Sequence, residues 1–334
     1  METISKWREF DQRLNYVKSV VITTHMNPDG DAIGSELAMA EHLRQLGKIA
    51  TILNPSPLPD SLRFLDENNE VTTYIKNIHD SEVQQADLLL FLDVGDFDRA
   101  GYVGQAALQY NKNVASVDHH PQSDHSQYLL FIEDTKASST GYMIYEYLKT
   151  FHPDHINRVI ARTLYVAVMT DTGNFKFSNT RAEDHLMAGD LIRFGIDPYK
   201  MYCQIYEQFS LARMQLLGFV LQNLNFECEG KLVWFIITQD VFRKYGATYD
   251  DLDGFSDFMR SIAGVEVSLM FKEMEDGTCR INLRSKGRIV INKVAQHFGG
   301  GGHPFASGAN LKKKLNEAVP SVLREVKRVI EGYA

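Results

Sequence analysis

Six acidic and imidazole side chains, spread over four stretches of this chain, are of the types that bind divalent metal ions. They are His25, Asp29, Asp31, Asp93, His119 and Asp171. Carboxylate oxygens are the ligands that Mg²⁺ and Mn²⁺ favour, and the imidazoles shift the preference toward Mn²⁺. The set is large enough for two Mn²⁺ ions roughly 3.5–4 Å apart, the arrangement that activates a water molecule and stabilises the leaving oxygen of a phosphoester.

The segment from His25 to Asp31 supplies three of these side chains within one turn. Pro28 and Gly30 favour a tight turn that would aim the three side chains inward, with Asp31 near a helix N-terminus. Each residue also has an ordinary explanation when taken alone. An aspartate before a helix is usually a cap, and a single histidine is usually a satisfied polar group.

The other candidates differ in how easily they are explained singly. Asp118 could be a turn residue, and Asp171 could simply end a helix. Asp93 is harder to explain in that way, because the apolar run 88–92 leads directly into its charge. The joint placement of all these residues at predicted strand and turn ends favours a metal site.

The first half of the chain alternates predicted strands with predicted helices. Short β-branched or apolar runs predict strands, and apolar residues three or four apart predict helices. The strands are predicted at 19–24, 49–53, 88–92 and 114–117, and the helices at 31–46, 141–149, 156–169 and 183–193. This alternation predicts an open parallel α/β sheet, in which ligands gather at the carboxyl ends of the strands. The candidate metal ligands fall at those ends.

The pattern changes in the second half of the chain. An amphipathic helix at 210–225 is a plausible connector, and strands are predicted at 231–238, 265–271 and 278–283, the last two as an antiparallel pair turning at 275–277. Helices are predicted at 290–298 and 315–330. We therefore predict a larger parallel-sheet domain at 1–195, a helical connector at 196–228 and a smaller mixed-sheet α/β domain at 229–334, with a cleft between the domains.

Composition narrows the class of protein. The 334 residues are 44% hydrophobic and 23% charged, as in ordinary globular proteins. The three cysteines are scattered, and we see neither a signal peptide nor a membrane helix, so we expect a cytoplasmic protein. A net charge of -8 argues against duplex DNA as a partner. The segment 280–314 nevertheless carries eight Lys or Arg residues and no acidic residue, which predicts a local anion site.

Three motifs together resemble the DHH/DHHA1 phosphoesterase family over nearly the whole chain. They are Asn-Pro-Asp-Gly-Asp-Ala-Ile-Gly-Ser from Asn27, the triplet Asp118-His119-His120, and Gly-Gly-Gly-Gly-His-Pro-Phe-Ala-Ser-Gly from Gly299. In size and layout the chain is most similar to the stand-alone oligoribonucleases that also act as pAp phosphatases, which are also called exopolyphosphatase-related proteins.

The resemblance implies a role for each candidate in the first domain. His25 and Asp29 would hold one metal ion, Asp31, His119 and Asp171 the other, and Asp93 would bridge both. Asp118 would orient an imidazole from behind, and His120 would face the substrate phosphate or the leaving oxygen. The attacking nucleophile would be a hydroxide shared by the two metals.

Substrate contacts are expected in the second domain. The glycine run, with Gly300, Gly301 and Gly302, would let backbone amides approach a phosphate without interference from a Cβ atom. His303 and Arg284, with Ser285 nearby, would bind a second phosphate or the nucleotide end. Weaker candidates are Arg99, Ser139 and Thr140, of which the last two would also cap the helix that follows.

The resemblance implies a phosphohydrolase that uses two Mn²⁺ ions, with Mg²⁺ or Co²⁺ as substitutes. Its substrates would be short single-stranded oligoribonucleotides, cleaved to mononucleotides, and 3′-phosphoadenosine 5′-phosphate (pAp). The closest alternative is a soluble phosphodiesterase for cyclic di-AMP or its linear product pApA. A non-catalytic nucleotide-binding protein is less favoured, because none of the six ligand positions is missing. We expect no membrane partner, and a homodimer formed through the long helices stays a hypothesis.

Overall fold

The computed structural model describes residues 2–121 and 125–333, and the chain divides into two compact units, Met1–Gln208 and Phe209–Ala334. The division falls inside the segment 196–228 that the sequence predicts as a connector. Among the described residues, no helix combines the length and the apolar character that crossing a bilayer requires.

A six-stranded parallel sheet forms the centre of the first unit. Its strands are β1 (Ser19–Thr23), β2 (Ile49–Asn54), β3 (Val71–Thr73), β4 (Leu88–Leu92), β5 (Val114–Asp118) and β6 (Leu130–Glu133). Their order across the sheet is β3-β2-β1-β4-β5-β6. The chain therefore runs outward from β1 to β3 and then crosses to β4 on the other side of β1. Ligands of such sheets bind at the carboxyl ends of the strands beside this switch point. The predicted parallel α/β fold is confirmed.

Helices cover both faces of this sheet. They are α1 (Glu2–Leu14), α2 (Gly30–Gln45), α3 (Asp80–Gln85), α4 (Gly101–Gln109), α5 (Thr140–Phe151), α6 (Arg158–Asp171), α7 (Ala182–Ile192) and α8 (Pro198–Tyr206). Side chains of a strand alternate between the two faces. Val20 and Ile22 of β1 accordingly pack with α1, α2, α5 and α6, whereas Val21 packs with α3 and α4 on the other face.

Helices α2 and α6 approach each other closely because α2 carries glycines on the facing side. A Cβ atom on Gly34 would lie 2.4 Å from the carbonyl oxygen of Thr163, and one on Gly30 would lie 2.5 Å from Oγ1 of Thr170. Only a residue without a side chain fits at such distances. This close packing places the first turn of α2 beside the last turn of α6.

A second six-stranded sheet, of mixed direction, forms the second unit. Its strands are β7 (Asn225–Glu227), β8 (Leu232–Ile237), β9 (Val267–Glu273), β10 (Cys279–Ser285), β11 (Gly301–His303) and β12 (Ala306–Leu311), in the order β11-β12-β10-β9-β8-β7. Strands β8 and β9 are parallel, and the other neighbours are antiparallel. The predicted mixed sheet and the predicted β9–β10 pair are confirmed.

The helices of the second unit cover this sheet unevenly. They are α9 (Leu211–Gln222), α10 (Gln239–Tyr245), α11 (Phe255–Arg260), α12 (Asn292–His297) and α13 (Leu315–Glu331). On one face, Cys279, Ile281 and Leu283 of β10 pack with α12 and α13. On the other face, α9, α10 and α11 pack mainly against β8 and β9, and the alternate residues of β10 from Arg280 to Arg284 are not fully buried.

Candidate metal centre

The candidate ligands of the first unit meet at the carboxyl edge of the parallel sheet. Asp93 directly follows β4, His119 directly follows β5, and Asp171 is the last residue of α6. Three sets of side chains each offer ligand atoms that lie within 4.8 Å of one another. The sets are His25, Asp29 and Asp93; Asp31, His119 and Asp171; and Asp93, His119 and His120. All six predicted ligand residues are therefore brought together, with Asp93 and His119 each shared by two of the sets.

Asp93 lies at the centre of this arrangement. Its Oδ2 atom is 3.4 Å from Nε2 of His25, and its Oδ1 atom is 3.5 Å from Nε2 of His119. The residue is 2% exposed and has φ = 59°, a left-handed conformation that costs a non-glycine residue about 1–3 kcal/mol. Burial alone would raise the pKa of Asp93, but the hydrogen bond from His25 and the nearby imidazoles hold it below its usual value. The carboxylate is thus ionised, with one oxygen facing each ligand group.

His25 and Asp29 approach Asp93 from the turn that joins β1 to α2. The Nδ1 atom of His25 lies 2.9 Å from the carbonyl oxygen of Met26. Because a carbonyl can only accept, Nδ1 carries a proton, and Nε2 is the ring nitrogen that faces Asp93. Asp29 also caps α2, since its Oδ1 atom accepts hydrogen bonds from the amides of Asp31 and Ala32. Asp29 is therefore a helix cap, as an aspartate before a helix usually is, and it is also placed to bind a metal ion.

Asp31 is a buried carboxylate held by the N-terminus of α5. Its Oδ2 atom accepts a hydrogen bond of 2.7 Å from the amide of Thr140, and its Oδ1 atom accepts one of 2.8 Å from the amide of Gly141. These amides belong to the positive end of the helix dipole. Burial nevertheless raises the pKa of Asp31 well above its usual range, and the charges of Asp93 and Asp171 raise it further. The site holds more negative charge than its own donors balance.

Asp171 adds to this imbalance from the C-terminus of α6. A carboxylate at the negative end of a helix dipole is unfavourable unless a cation compensates it. Burial, followed by the charges of Asp93 and Asp29, raises the pKa of Asp171 to about 7. The side chain amide of Asn179 donates to the Asp171 carbonyl oxygen at 3.1 Å. Asp171 is thus fixed in a position that a bound cation would stabilise.

His119 supplies the observation that best tests whether a metal fits. Its Nε2 atom is buried and, among the described residues, accepts or donates no hydrogen bond. Three carboxylate oxygens surround this nitrogen: Asp93 Oδ1 at 3.5 Å, Asp171 Oδ2 at 3.7 Å and Asp31 Oδ2 at 3.9 Å. Burial lowers the pKa of His119, so the ring is neutral and a lone pair is available. A buried lone pair facing carboxylates is the donor arrangement that a divalent cation needs.

Asp118 contacts His120 rather than His119. Its Oδ1 atom accepts hydrogen bonds of 2.9 Å from both the amide and Nδ1 of His120. The ring of His119 is instead positioned by the carbonyl oxygen of Ala137, 3.4 Å from Nδ1. The hydrogen bond to Asp118 raises the pKa of His120, whose side chain is 42% exposed. His120 is therefore an outward-facing group beside the buried ligands, and its contact with Asp118 favours the protonated form of its ring.

Two residues contribute to the site in a way that the sequence did not reveal. The backbone of Gly141 binds Asp31, and the hydroxyl of Thr140 donates a 3.0 Å hydrogen bond to Oδ1 of Asp93. The sequence predicts Ser139 and Thr140 as weaker candidates and as caps, and Ser139 does cap α5. Gly141 is the residue whose type could have indicated this contact in the sequence. A Cβ atom there would lie 2.5 Å from Cβ of Ala167 and 3.1 Å from Oδ1 of Asp31, so this close approach requires glycine.

The predicted substrate residues of the second unit, except Ser285, lie along a groove of about 500 Å³. Arg280, Asn282 and Arg284 of β10 line it together with the glycine run and His303. The Nε atom of Arg284 donates to Asp257 at 3.0 Å. Ser285 lies elsewhere, because it is 2% exposed and its hydroxyl accepts a hydrogen bond from the amide of Gly287.

The glycine run is partly a strand, and its glycines serve different purposes. A Cβ atom on Gly300 would lie 2.1 Å from the carbonyl oxygen of Gly308, and one on Gly302 would lie 2.6 Å from that of Ala306. These two glycines are required by backbone packing. A Cβ atom on Gly301 would meet nothing within 4 Å among the described residues. Gly301, like Gly299, thus lines the groove at a position where an added Cβ atom would meet open space.

Two family models match the chain. The model of the DHH family, N-terminal domain, matches residues 19–168, and the model of the DHHA1 domain matches residues 229–332. The first contains all the candidate ligands except Asp171, and the second contains the groove.

The chain is also similar to individual proteins over most of its length. The chain is 32% identical to the bifunctional oligoribonuclease and PAP phosphatase NrnA of Bacillus subtilis, over 91% of this chain and 92% of that protein. It is 26% identical to the cyclic-di-AMP phosphodiesterase PdeA of Listeria monocytogenes, over 88% of this chain and 45% of that protein. The crystal structure of an exopolyphosphatase-related protein from Bacteroides fragilis superposes with a TM-score of 0.90 at 26% identity, covering 98% of this chain and 96% of that one.

Proposed function

The chain belongs to the DHH phosphoesterase family, and from that premise we propose that it uses two Mn²⁺ ions to degrade short oligoribonucleotides to mononucleotides and to dephosphorylate pAp. One observation carries the proposal: the two oxygens of Asp93 face His25 and His119, which belong to different ligand groups. A carboxylate in that position suits a pair of ions rather than a single one.

The ligand groups divide as follows in this proposal. His25 and Asp29 would hold one ion, Asp31, His119 and Asp171 the other, and Asp93 would contact both. Bound divalent ions would supply an activated water molecule and neutralise charge on the phosphoryl oxygens. The mixture of carboxylates and imidazoles supports Mn²⁺, with Mg²⁺ or Co²⁺ as substitutes.

His120 would protonate the leaving group. Asp118 orients its ring and favours the protonated form, because the carboxylate accepts both the backbone and the ring hydrogen bond. A protonated imidazole at the exposed side of the site can donate its proton to the departing alkoxide. Asp118 is thus a positioning residue for His120.

The second unit would bind nucleotide phosphates. Arg280 and Arg284 give the groove positive charge, and Gly301 lines it without a side chain. The relatives named as oligoribonuclease and PAP phosphatase support a short nucleotide as the occupant. Arg284→Met should raise KM for pAp and dinucleotides without changing metal binding. Arg288→Met, at a side chain that is 84% exposed, is the matched control.

A second candidate function is cleavage of cyclic di-AMP or of its linear product pApA, which the likeness to the Listeria phosphodiesterase favours. The same metal centre would serve both reactions. A substrate panel with Mn²⁺ separates them: pAp, di- to pentaribonucleotides, pApA, cyclic di-AMP, pyrophosphate and polyphosphate. We expect turnover of pAp and of the short ribonucleotides. Turnover of cyclic di-AMP alone would replace the first proposal by the second.

The test of the chemistry is Asp93→Asn, which keeps the shape of the side chain but removes its charge. We expect a loss of activity of at least about a hundredfold on a dinucleotide and on pAp, because an amide cannot give a charged oxygen to each of two ions. Asp98→Asn, at an exposed position of the same loop, should be near wild type. Near-full activity of Asp93→Asn would refute the two-metal proposal.

A further inference from the structure

The loop that follows Asp171 carries an exposed aromatic ring beside the metal centre. Phe177 is 51% exposed. Its ring atom Cζ lies 2.4 Å from the position that a Cβ atom on Gly173 would take, and Gly173 itself has φ = 56°. The ring therefore rests directly on the backbone two residues beyond Asp171, with much of its surface open.

Both arms of this loop are fixed at the metal centre. The amides of Lys176 and Phe177 each donate a 3.0 Å hydrogen bond to the carbonyl oxygen of Thr172. Beyond the ring, the side chain amide of Asn179 donates to the carbonyl oxygens of Asp171 and Ser138, at 3.1 Å each. An exposed phenylalanine is common on protein surfaces. One on a backbone held by such a network, beside a carboxylate of the candidate metal centre, is a preformed contact, because little backbone freedom is left to lose on binding.

A cation accompanies the ring. The Nζ atom of Lys176 lies 5.8 Å from the centre of the Phe177 ring, and both side chains are exposed. Aromatic rings bind nucleobases by stacking, and neighbouring cations bind the backbone phosphates. The pair thus matches the two chemical parts of a nucleotide.

We propose that Phe177 stacks on the nucleobase adjacent to the scissile phosphate and that Lys176 pairs with a flanking phosphate. This inference rests on the proposed function, since it requires a nucleotide substrate. Stacking involves the face of the base and not its hydrogen-bonding edge, so the contact selects nucleotides over other phosphoesters without selecting among bases.

The experiment compares Phe177→Leu and Phe177→Tyr on a diribonucleotide and on its abasic counterpart, which has the same backbone without bases. Leucine preserves packing against Gly173, whereas tyrosine also preserves the aromatic face. We expect Phe177→Leu to raise KM for the diribonucleotide roughly tenfold, with Phe177→Tyr near wild type. Neither variant should change KM for the abasic substrate or the amount of bound Mn²⁺.

Phe194→Leu is the matched control. Phe194 is 39% exposed and follows the C-terminal end of α7. The opposite, N-terminal end of this helix is the one that contacts Ser138. An equal effect of Phe177→Leu on both substrates, or no effect on either, would overturn the inference while leaving the proposed function intact. If the wild-type protein cleaves neither substrate, the proposed function fails and this inference falls with it.

Discussion

The Oδ1 atom of Asp118 accepts two hydrogen bonds from His120, two residues further along the chain. One comes from the backbone amide of His120 and the other from its imidazole, and each is 2.9 Å long. Asp118 is fully buried, whereas the His120 side chain is 42% exposed. A buried carboxylate thus controls the orientation and charge of a group at the surface of the site. His119, between them in sequence, has a different hydrogen-bond partner, the carbonyl oxygen of Ala137.

This relationship predicts strong coupling between Asp118 and His120. Asp118→Asn and His120→Ala should each lower kcat by about a hundredfold or more on a diribonucleotide, the usual contribution of a positioned acid. The double variant should be little worse than His120→Ala, because Asp118 acts through His120. The four kcat values form the test, with bound Mn²⁺ measured for each protein. Losses that simply multiply would show that Asp118 has a role of its own.

The contact between α2 and α6 predicts a sensitive glycine. Gly34→Ala should lower the free energy of unfolding by about 1–3 kcal/mol or more, because the new methyl group would strike the Thr163 carbonyl oxygen. It should also weaken Mn²⁺ binding, since Asp31 and Asp171 lie on these helices. Gly189→Ala is the control: it lies within α7, a Cβ atom there meets nothing within 4 Å among the described residues, and helix propensity favours alanine. Urea unfolding gives the free energy of unfolding of both variants. Equal values would contradict the predicted clash between the new methyl group at position 34 and the Thr163 carbonyl oxygen.

The glycine run predicts two contrasting outcomes. Gly300→Ala should destabilise the second unit, because a Cβ atom there would lie 2.1 Å from a backbone carbonyl oxygen. Gly301→Ala should leave the unfolding transition near wild type and raise KM for pAp, because its methyl group projects into free space. Thermal unfolding and steady-state kinetics check both. A Gly301→Ala protein with unchanged KM for pAp and for dinucleotides would remove this groove from the proposed binding site.

A cluster of histidines away from the metal centre predicts acid sensitivity. His42 is fully buried, with Nδ1 3.0 Å from Nδ1 of His155 and Nε2 3.2 Å from the hydroxyl of Tyr147. Asp11 accepts hydrogen bonds from both Tyr147 and His152. Burial, followed by the charges of His152 and His155, lowers the pKa of His42 to about 3.

Because the folded pKa of His42 lies below the unfolded value, the unfolded chain binds the extra proton between these two values. Stability should therefore be lost as the pH falls below about 6.5. Between pH 7 and 5.5 the wild-type protein should lose about 1 kcal/mol more than His42→Leu. The free energy of unfolding of both proteins is measured at several pH values. The comparison uses how steeply this free energy changes with pH, and not its absolute value. Parallel slopes would exclude His42 as the source.

Much of the first sheet could be predicted from the sequence, because its inner strands are short apolar or β-branched runs, and two of them, β4 and β5, lead directly into charged residues. β4 and β5 begin and end almost where predicted. β3 and β6 were missed, since three or four residues at the edge of a sheet leave little pattern. Helix α1 was also missed, although Trp7, Phe10 and Leu14 have helical spacing and are buried.

The candidate site was predictable to the extent that it depends on residue type and strand ends. What sequence cannot supply is contact between distant segments. The amides of Thr140 and Gly141 reach Asp31 only because α5 packs against α2 and α6. The same limit applies to Ser285, whose neighbour Arg284 faces the groove while alternation along β10 turns Ser285 to the buried face.

The number of Mn²⁺ ions bound per chain tests the central claim most directly. Equilibrium dialysis of the purified protein against Mn²⁺, without substrate, gives this number independently of turnover. We predict two ions for the wild-type protein and one for His25→Ala and for Asp171→Asn, because each variant removes a ligand from a different group. A wild-type protein that binds one ion or none, or variants that both retain two, would contradict the two-metal account.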